Sequence, residues 1–133
     1  MTYFLDSNIV SYIIKNNPLV IEFLKKLIIN GNIIKIPSIV YYEVKRGLLA
    51  INAVNKLKLF DQYIKIFGIV PLNQNELDKA AEEYAKLKQS GRLIEDADLF
   101  IGCSALENNA ILLSNNERHL KRITGLKVEA IKL

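Results

Sequence analysis

Thr2-Tyr3-Phe4-Leu5-Asp6-Ser7-Asn8 lies at the start of the chain and decides how the rest of the sequence is interpreted. The residues before the aspartate are mostly apolar, which is typical of a short buried strand. Asp6, Ser7 and Asn8 favour turns and helix caps, so the strand is expected to lead directly into a helix that begins near Ser7. A buried strand followed at once by a helix is the repeating unit of α/β proteins.

The same alternation continues along the sequence. Apolar runs predict further strands over 33–36, 68–71, 110–113 and 127–131. Apolar residues at helical spacing predict helices over 7–15, 18–29, 38–67 with an irregularity near Asn52, 73–88, 95–108 and 119–123. The pattern therefore predicts an α/β fold with a mostly parallel sheet and helices on both of its faces.

Composition sets limits on the class of protein. Half of the 133 residues are apolar, which is sufficient for the core of a single domain. The net charge of +4 favours contact with polyanions such as nucleic acid, although many soluble proteins carry a similar charge. The single cysteine, Cys103, rules out an internal disulfide and fits a reducing compartment. No apolar run approaches the about 20 residues that cross a bilayer, so a soluble, cytoplasmic protein is expected.

Three acidic side chains stand near the ends of the predicted strands. Asp6 ends the first strand, Glu43 lies one helical turn past the second, and Asp98 opens a later helix. Ligands of parallel sheets bind beyond the carboxyl ends of the strands. Clustered carboxylates stay ionised together only around a cation, and oxygen ligands suit Mg²⁺ or Mn²⁺. Zinc is disfavoured because Cys103 and His119 are the only cysteine and histidine.

Each acid also has a purely structural interpretation. Asp6 precedes a helix and is well placed as an N-cap. Glu43 could be an ordinary solvated helix residue, and Asp98 lies in a first helical turn, where the helix dipole favours acids. The residues alone leave these alternatives open.

Four segments, in this order and spacing, resemble the PIN domain, and specifically the VapC-type toxins of bacterial and archaeal toxin–antitoxin pairs. They are residues 3–8, 37–43, 96–102 and 112–116. The resemblance covers essentially the whole chain, including the Gly91-Arg92 loop. It implies one PIN-like domain over residues 1–133, a three-layer α/β/α sandwich whose mostly parallel central sheet has four or five short strands.

The resemblance also implies a set of site residues. Asp6, Glu43 and Asp98 match the catalytic acids that bind the divalent metal. Ser114 stands where the family usually has threonine, which keeps the hydroxyl, and Asn116 stands where the family has Asp or Asn. Because asparagine removes a charge, one bound Mg²⁺ or Mn²⁺ ion is expected rather than two. Supporting polar contacts are implied for Asp96, Asn116, Asn8 and Ser114.

The implied activity is that of an endoribonuclease that inhibits translation, often by cutting transfer RNA. A homodimer and a small VapB-like antitoxin that blocks the site are implied as well, with no membrane association. Basic residues near the rim are candidates for contact with RNA: Lys45, Arg46, Arg92, Lys121 and Arg122.

Three other interpretations compete with this one, and a purely structural or interaction protein ranks last because it leaves the spacing of the acids unexplained. A receiver or phosphatase-type phosphoryl-transfer domain is disfavoured, because such a phosphatase needs a second aspartate where Asn8 stands. A non-catalytic PIN-like module that binds RNA or a partner protein is the stronger alternative. The presence of all three acids favours the enzyme over that module.

Overall fold

The chain folds into alternating strands and helices in a computed structural model that describes all 133 residues. In chain order the elements are β1 (Thr2–Leu5), α1 (Ser7–Ile14), α2 (Pro18–Ile29), β2 (Ile33–Pro37), α3 (Ser38–Ala50), α4 (Val54–Phe67), β3 (Ile69–Val70), α5 (Gln74–Gln89), α6 (Asp96–Glu107), β4 (Ile111–Leu113), α7 (Glu117–Leu120) and β5 (Val128–Glu129). No helix combines the length and apolar character that a membrane span requires.

The sheet has five strands in the order β3-β2-β1-β4-β5, and every pairing is parallel. The central strand is β1, in which Tyr3 pairs with Ile34 on one side and Ile111 on the other. The chain builds outward from β1 through β2 to β3, and then crosses to β4 and β5. In such sheets ligands bind beyond the carboxyl end of the strand where the order reverses, which here is the end of β1.

Both faces of the sheet are covered. Neighbouring residues of a strand point to opposite faces, and Phe4 and Leu5 are both fully buried, as are Leu112 and Leu113 on β4. Burying a side chain of this size stabilises the fold by about 1.5–3 kcal/mol. The predicted α/β class, with helices flanking a parallel sheet, is confirmed. The rigid central strands fix the position of the residues that follow them.

The last strand, predicted over 127–131, spans only Val128–Glu129, and two helix boundaries also differ from the sequence-based expectation. The helix predicted over 38–67 is two helices, since α3 ends at Ala50 and Asn52 adopts the left-handed conformation (φ 51°) before α4 begins. Asparagine is among the few residues that tolerate this conformation, so Asn52 can interrupt the helical pattern here. The short basic helix begins at Glu117, directly after Asn116, rather than at His119.

The apolar spacing of α5 predicts an inner stripe of Leu77, Ala80, Ala81, Tyr84 and Leu87. The buried face differs from this prediction, although Ala80 and Leu87 are buried as expected. Leu77 and Tyr84 were expected inside but are 43% and 39% exposed, whereas Glu76 and Glu83 are fully buried. Glu76 accepts hydrogen bonds from Ser104 Oγ at 2.8 Å, from Asn108 and from the backbone of Asn73. Glu83 lies 3.6 Å from Lys79 and 3.4 Å from Lys86. Hydrogen-bonded or paired carboxylates can occupy an inner face, which apolar periodicity alone does not reveal.

Candidate active site

Asp6 sits at the carboxyl end of the central strand. Its backbone N–H donates to Leu113 O at 3.0 Å, which pairs the end of β1 with β4, and the side chain is only 5% exposed. Oδ1 accepts from the backbone N–H of Ser7 at 2.8 Å, so Asp6 is indeed the N-cap of α1. Capping uses only this oxygen, and Oδ2 is directed to other partners. The structural and functional interpretations of Asp6 therefore do not compete.

Ser114 connects Asp6 to the residues that follow β4. Its Oγ donates to Asp6 Oδ2 at 2.6 Å and accepts from the backbone N–H of Asn116 at 2.9 Å. Asn8 Nδ2 lies 3.4 Å from the same hydroxyl and 3.5 Å from Asp6 Oδ2. Because Asn8 Oδ1 accepts from the backbone N–H of Asn115 at 3.2 Å, its amide group must face Asp6. Asn8 and Ser114 thus brace Asp6.

Asp98 lies in the first turn of α6 and is half-buried. Asn116 Nδ2 donates to its Oδ2 at 3.4 Å, so Asn116 contacts Ser114 through its backbone and Asp98 through its side chain. Burial raises the pKa of Asp98, and the negative charges of Asp6, Glu95 and Glu43 raise it further. The carboxylate of Asp98 therefore senses both of the other predicted acids.

Glu43 lies on α3 and reaches the site through Ser7. Ser7 Oγ donates to Glu43 Oε1 at 2.6 Å, while the Ser7 backbone N–H caps Asp6. Sequence reasoning treated Ser7 only as a turn and cap residue and did not assign it to the site. The signal available was its position directly after Asp6, where an N–H and a hydroxyl are presented together. A hydrogen-bond network, here called the carboxylate network, runs through Glu43, Ser7, Asp6, Ser114, Asn116 and Asp98.

The electrostatics of the network favour a cation. Burial also raises the pKa of Asp6, and hydrogen bonds from Ser114 and Ser7 only partly oppose this effect. A nearby positive charge would relieve both the desolvation and the mutual repulsion of the acids. No three acidic, histidine or cysteine side chains are close enough together to hold one ion among them. Mg²⁺ binds through one or two carboxylates and keeps several waters, so this all-oxygen donor set fits a hydrated ion of that kind.

Asp96 lies outside the carboxylate network. It is exposed and makes no hydrogen bond to any member of the network. Instead it lines an open groove between α5 and α6 together with Leu77, Tyr84 and Phe100. The two-residue offset from Asp98 turns its side chain to a different side of the helix. Its supporting role remains a sequence-based prediction.

Two of the basic candidates on α3 contact tyrosines. Lys45 Nζ donates to Tyr41 Oη at 2.9 Å, which raises the pKa of Lys45. The guanidinium of Arg46 lies 5.2 Å from the ring centroid of Tyr42, a cation–π contact. Both side chains are held by these neighbouring tyrosines.

The later basic candidates are also engaged within the protein. Lys121 pairs with Glu117 at 3.0 Å, so its charge is partly compensated. Arg122 Nη1 donates to the carbonyl oxygens of Arg92 at 3.3 Å and Leu93 at 3.2 Å. These contacts tie the residues after α7 to the loop before α6. Of the predicted RNA-contacting set, only the exposed side chain of Arg92 makes no contact of this kind.

Comparison with known proteins adds independent findings. The sequence matches the family described as PIN domain over residues 3–126. It is 33% identical to ribonuclease VapC1 of Haemophilus influenzae over 135 aligned residues, with 96% of each chain covered. It is 32% identical to ribonuclease VapC2 of Rickettsia felis, with 97% of each covered. The crystal structure of VapBC2 from Rickettsia felis, bound to a DNA fragment from its promoter, contains a chain with a TM-score of 0.92 and 29% identity, covering 99% of this chain and 100% of that one.

Proposed function

Since this chain belongs to the PIN-domain family, among the VapC-type ribonucleases of toxin–antitoxin systems, we propose that it is a metal-dependent endoribonuclease that inhibits translation by cutting transfer RNA. The observation that carries the proposal is the carboxylate network. It joins acids from three separate elements at the end of the central strand, where a ligand is expected.

Asp6 and Asp98 would hold the divalent ion. Glu43, which accepts a hydrogen bond from Ser7, is the third acid of the site. When bound, Mg²⁺ or Mn²⁺ supplies Lewis-acid activation of water and neutralises charge that develops on a phosphate. Ser114 and Ser7 fix the orientation of Asp6 through both of its oxygens. Glu43, held by the Ser7 hydroxyl, can accept a proton from water as a general base. Asn116 connects Asp98 to Ser114, which in turn binds Asp6.

The direct test is cleavage of purified total transfer RNA by the purified protein. Reactions contain Mg²⁺, Mn²⁺ or excess chelator, and Asp6→Asn and Asp98→Asn proteins are run in parallel. We expect discrete fragments that disappear with chelator and with either substitution. Asp78→Asn serves as a matched control, because it removes the same charge from an exposed position on α5 outside the network.

Fragments that persist in chelator would contradict the metal-dependent mechanism. Cleavage of ribosomal or messenger RNA, with transfer RNA left intact, would correct the substrate. If the protein binds RNA yet cuts none of these, the non-catalytic module becomes the better interpretation. That alternative rests on the finding that no three potential ligands converge on one point.

A VapB-like antitoxin is the proposed protein partner, because the structural relatives are VapBC complexes. We also propose a homodimer, for which the exposed Leu77 and Tyr84 beside the α5–α6 groove provide an apolar surface. Sedimentation of the protein alone, and with a co-expressed antitoxin, would measure both. The proposed RNA substrate supports a cytoplasmic location for the activity.

A further inference from the structure

A groove of about 230 Å³ opens beside Glu43 between α1, α3 and the start of α4. Its lining begins with Ser7 and Glu43 of the carboxylate network and reaches Lys15 and Lys56. A second, more open groove of about 340 Å³ shares Lys15 and Lys56 with the first and extends the surface to Asn16 and Asn55. We call the two grooves together the basic channel. One end of this channel is the candidate active site.

The charges in the basic channel are uncompensated. Lys15 and Lys56 are exposed, and neither takes part in an ion pair. Glu43 is the only acidic residue in either groove, and it already accepts the hydroxyl of Ser7. This contrasts with Lys121, which pairs with Glu117. Two free cations along a groove favour a polyanion.

Gly47 keeps the channel open near Glu43. It lies within α3, is exposed, and lines the first groove. A Cβ atom at this position would meet no atom within 4 Å, and the backbone is ordinary helix. Glycine inside a helix costs about 0.8–1 kcal/mol relative to alanine, so neither packing nor backbone conformation requires it. The absence of a side chain at Gly47 leaves free space in the first groove.

We propose that the basic channel seats one strand of the RNA substrate, with backbone phosphates on Lys15 and Lys56, and guides the strand to Glu43. This inference rests on the proposed ribonuclease function. No aromatic side chain lines either groove, so the contacts are to phosphate and sugar rather than stacked bases. The channel therefore positions RNA without reading its sequence, and base selection lies elsewhere on the protein.

Binding without cleavage tests the channel. A fluorescent single-stranded RNA is titrated with protein in excess chelator, and fluorescence anisotropy is followed at several salt concentrations. The Lys15→Gln/Lys56→Gln protein should lose about tenfold in affinity, and the slope of log K against log salt should become shallower by about 1.4, since each phosphate contact on a single strand contributes about 0.7. The matched control is Lys26→Gln/Lys58→Gln, which removes the same charge from exposed positions outside the channel.

A steric variant tests the same channel without changing charge. Gly47→Met should fill the groove and weaken RNA binding, while Gly47→Ala should leave binding nearly unchanged. Both proteins should be at least as stable as the parent, because the helix gains about 0.8–1 kcal/mol and no atom obstructs the new Cβ. Loss of binding therefore cannot be ascribed to unfolding.

The outcomes separate the channel from the proposed function. If the Lys15→Gln/Lys56→Gln protein binds RNA as well as its Lys26→Gln/Lys58→Gln control, the proposed role of the channel is overturned. Cleavage by the parent protein would still support a ribonuclease. If RNA binding is unchanged but a VapB-like partner no longer binds, the channel belongs to the protein partner instead. If the parent protein cuts no RNA but the channel variants alone lose RNA binding, the ribonuclease is refuted and the channel stands.

Discussion

Ser114→Ala is the substitution that tests the carboxylate network most sharply. The Ser114 hydroxyl is fully buried, donates to Asp6 Oδ2 at 2.6 Å and accepts from the backbone N–H of Asn116 at 2.9 Å. A hydrogen bond to a charged group is worth about 1.5–3 kcal/mol and a neutral one about 1 kcal/mol. Removing both should lower the free energy of unfolding by about 2–4 kcal/mol. For a chain of this size that corresponds to a fall in Tm of roughly 7–14 °C.

Urea unfolding followed by circular dichroism measures this change, because the chain contains no tryptophan for fluorescence. Ser104→Ala is the control, since its hydroxyl donates to buried Glu76 at 2.8 Å. Both variants should be destabilised, but only Ser114→Ala should also lose RNA cleavage under conditions where it is folded. A loss below about 1 kcal/mol for Ser114→Ala, while Ser104→Ala shows the full charged-bond cost, would refute the claim that this hydroxyl holds Asp6.

Three further predictions follow from buried or charged groups. The folded protein holds protons on Asp6 and Asp98 more tightly than the unfolded chain does, because their pKa values are raised. In chelator, their contribution to stability should therefore fall as pH rises above about 4, the unfolded value, through the raised folded values. Asp98→Asn should make this fall smaller and raise the free energy of unfolding at neutral pH by about 0.5 kcal/mol, a small figure because Asp98 is half-exposed. A lower free energy of unfolding in Asp98→Asn would contradict this. Burial raises the pKa of Cys103 to about 12, so a thiol reagent at mildly alkaline pH should react only after denaturant is added. Asn73→Ala removes one half of a capping box on α5 and should cost about 1 kcal/mol in urea unfolding without changing cleavage.

The fold was predictable from sequence because its signals are local. The run from Thr2 to Leu5 is apolar and short, and Asp6 follows it directly, so both the strand and the cap could be recognised. The break between α3 and α4 was located near Asn52 but not resolved as two helices. Position 52 is one residue in an otherwise continuous helical pattern, and its left-handed conformation depends on how the two helices pack.

The sequence could name the three acids as candidates, but it could not give the contacts that connect them. Asp6, Glu43 and Asp98 come from three elements far apart in sequence, and the network that joins them passes through Ser7 and Asn116. Periodicity gives the face of a helix but not the partner of a hydroxyl. The unpaired basic residues were harder still to predict, because a lysine that pairs with a neighbour and a lysine that is unpaired look the same in sequence. Lys15 and Lys56 were overlooked for this reason, and only the grooves bring them together.

The central claim is that Asp6 and Asp98 hold the ion on which cleavage depends. Binding of Mn²⁺ to the full chain, measured by electron paramagnetic resonance of the free ion, tests it most directly. The account predicts one saturable site per chain, lost or at least tenfold weaker in Asp98→Asn and unchanged in Ser104→Ala. Mn²⁺ binding of equal strength in the parent and Asp98→Asn proteins, or no saturable binding at all, would contradict it.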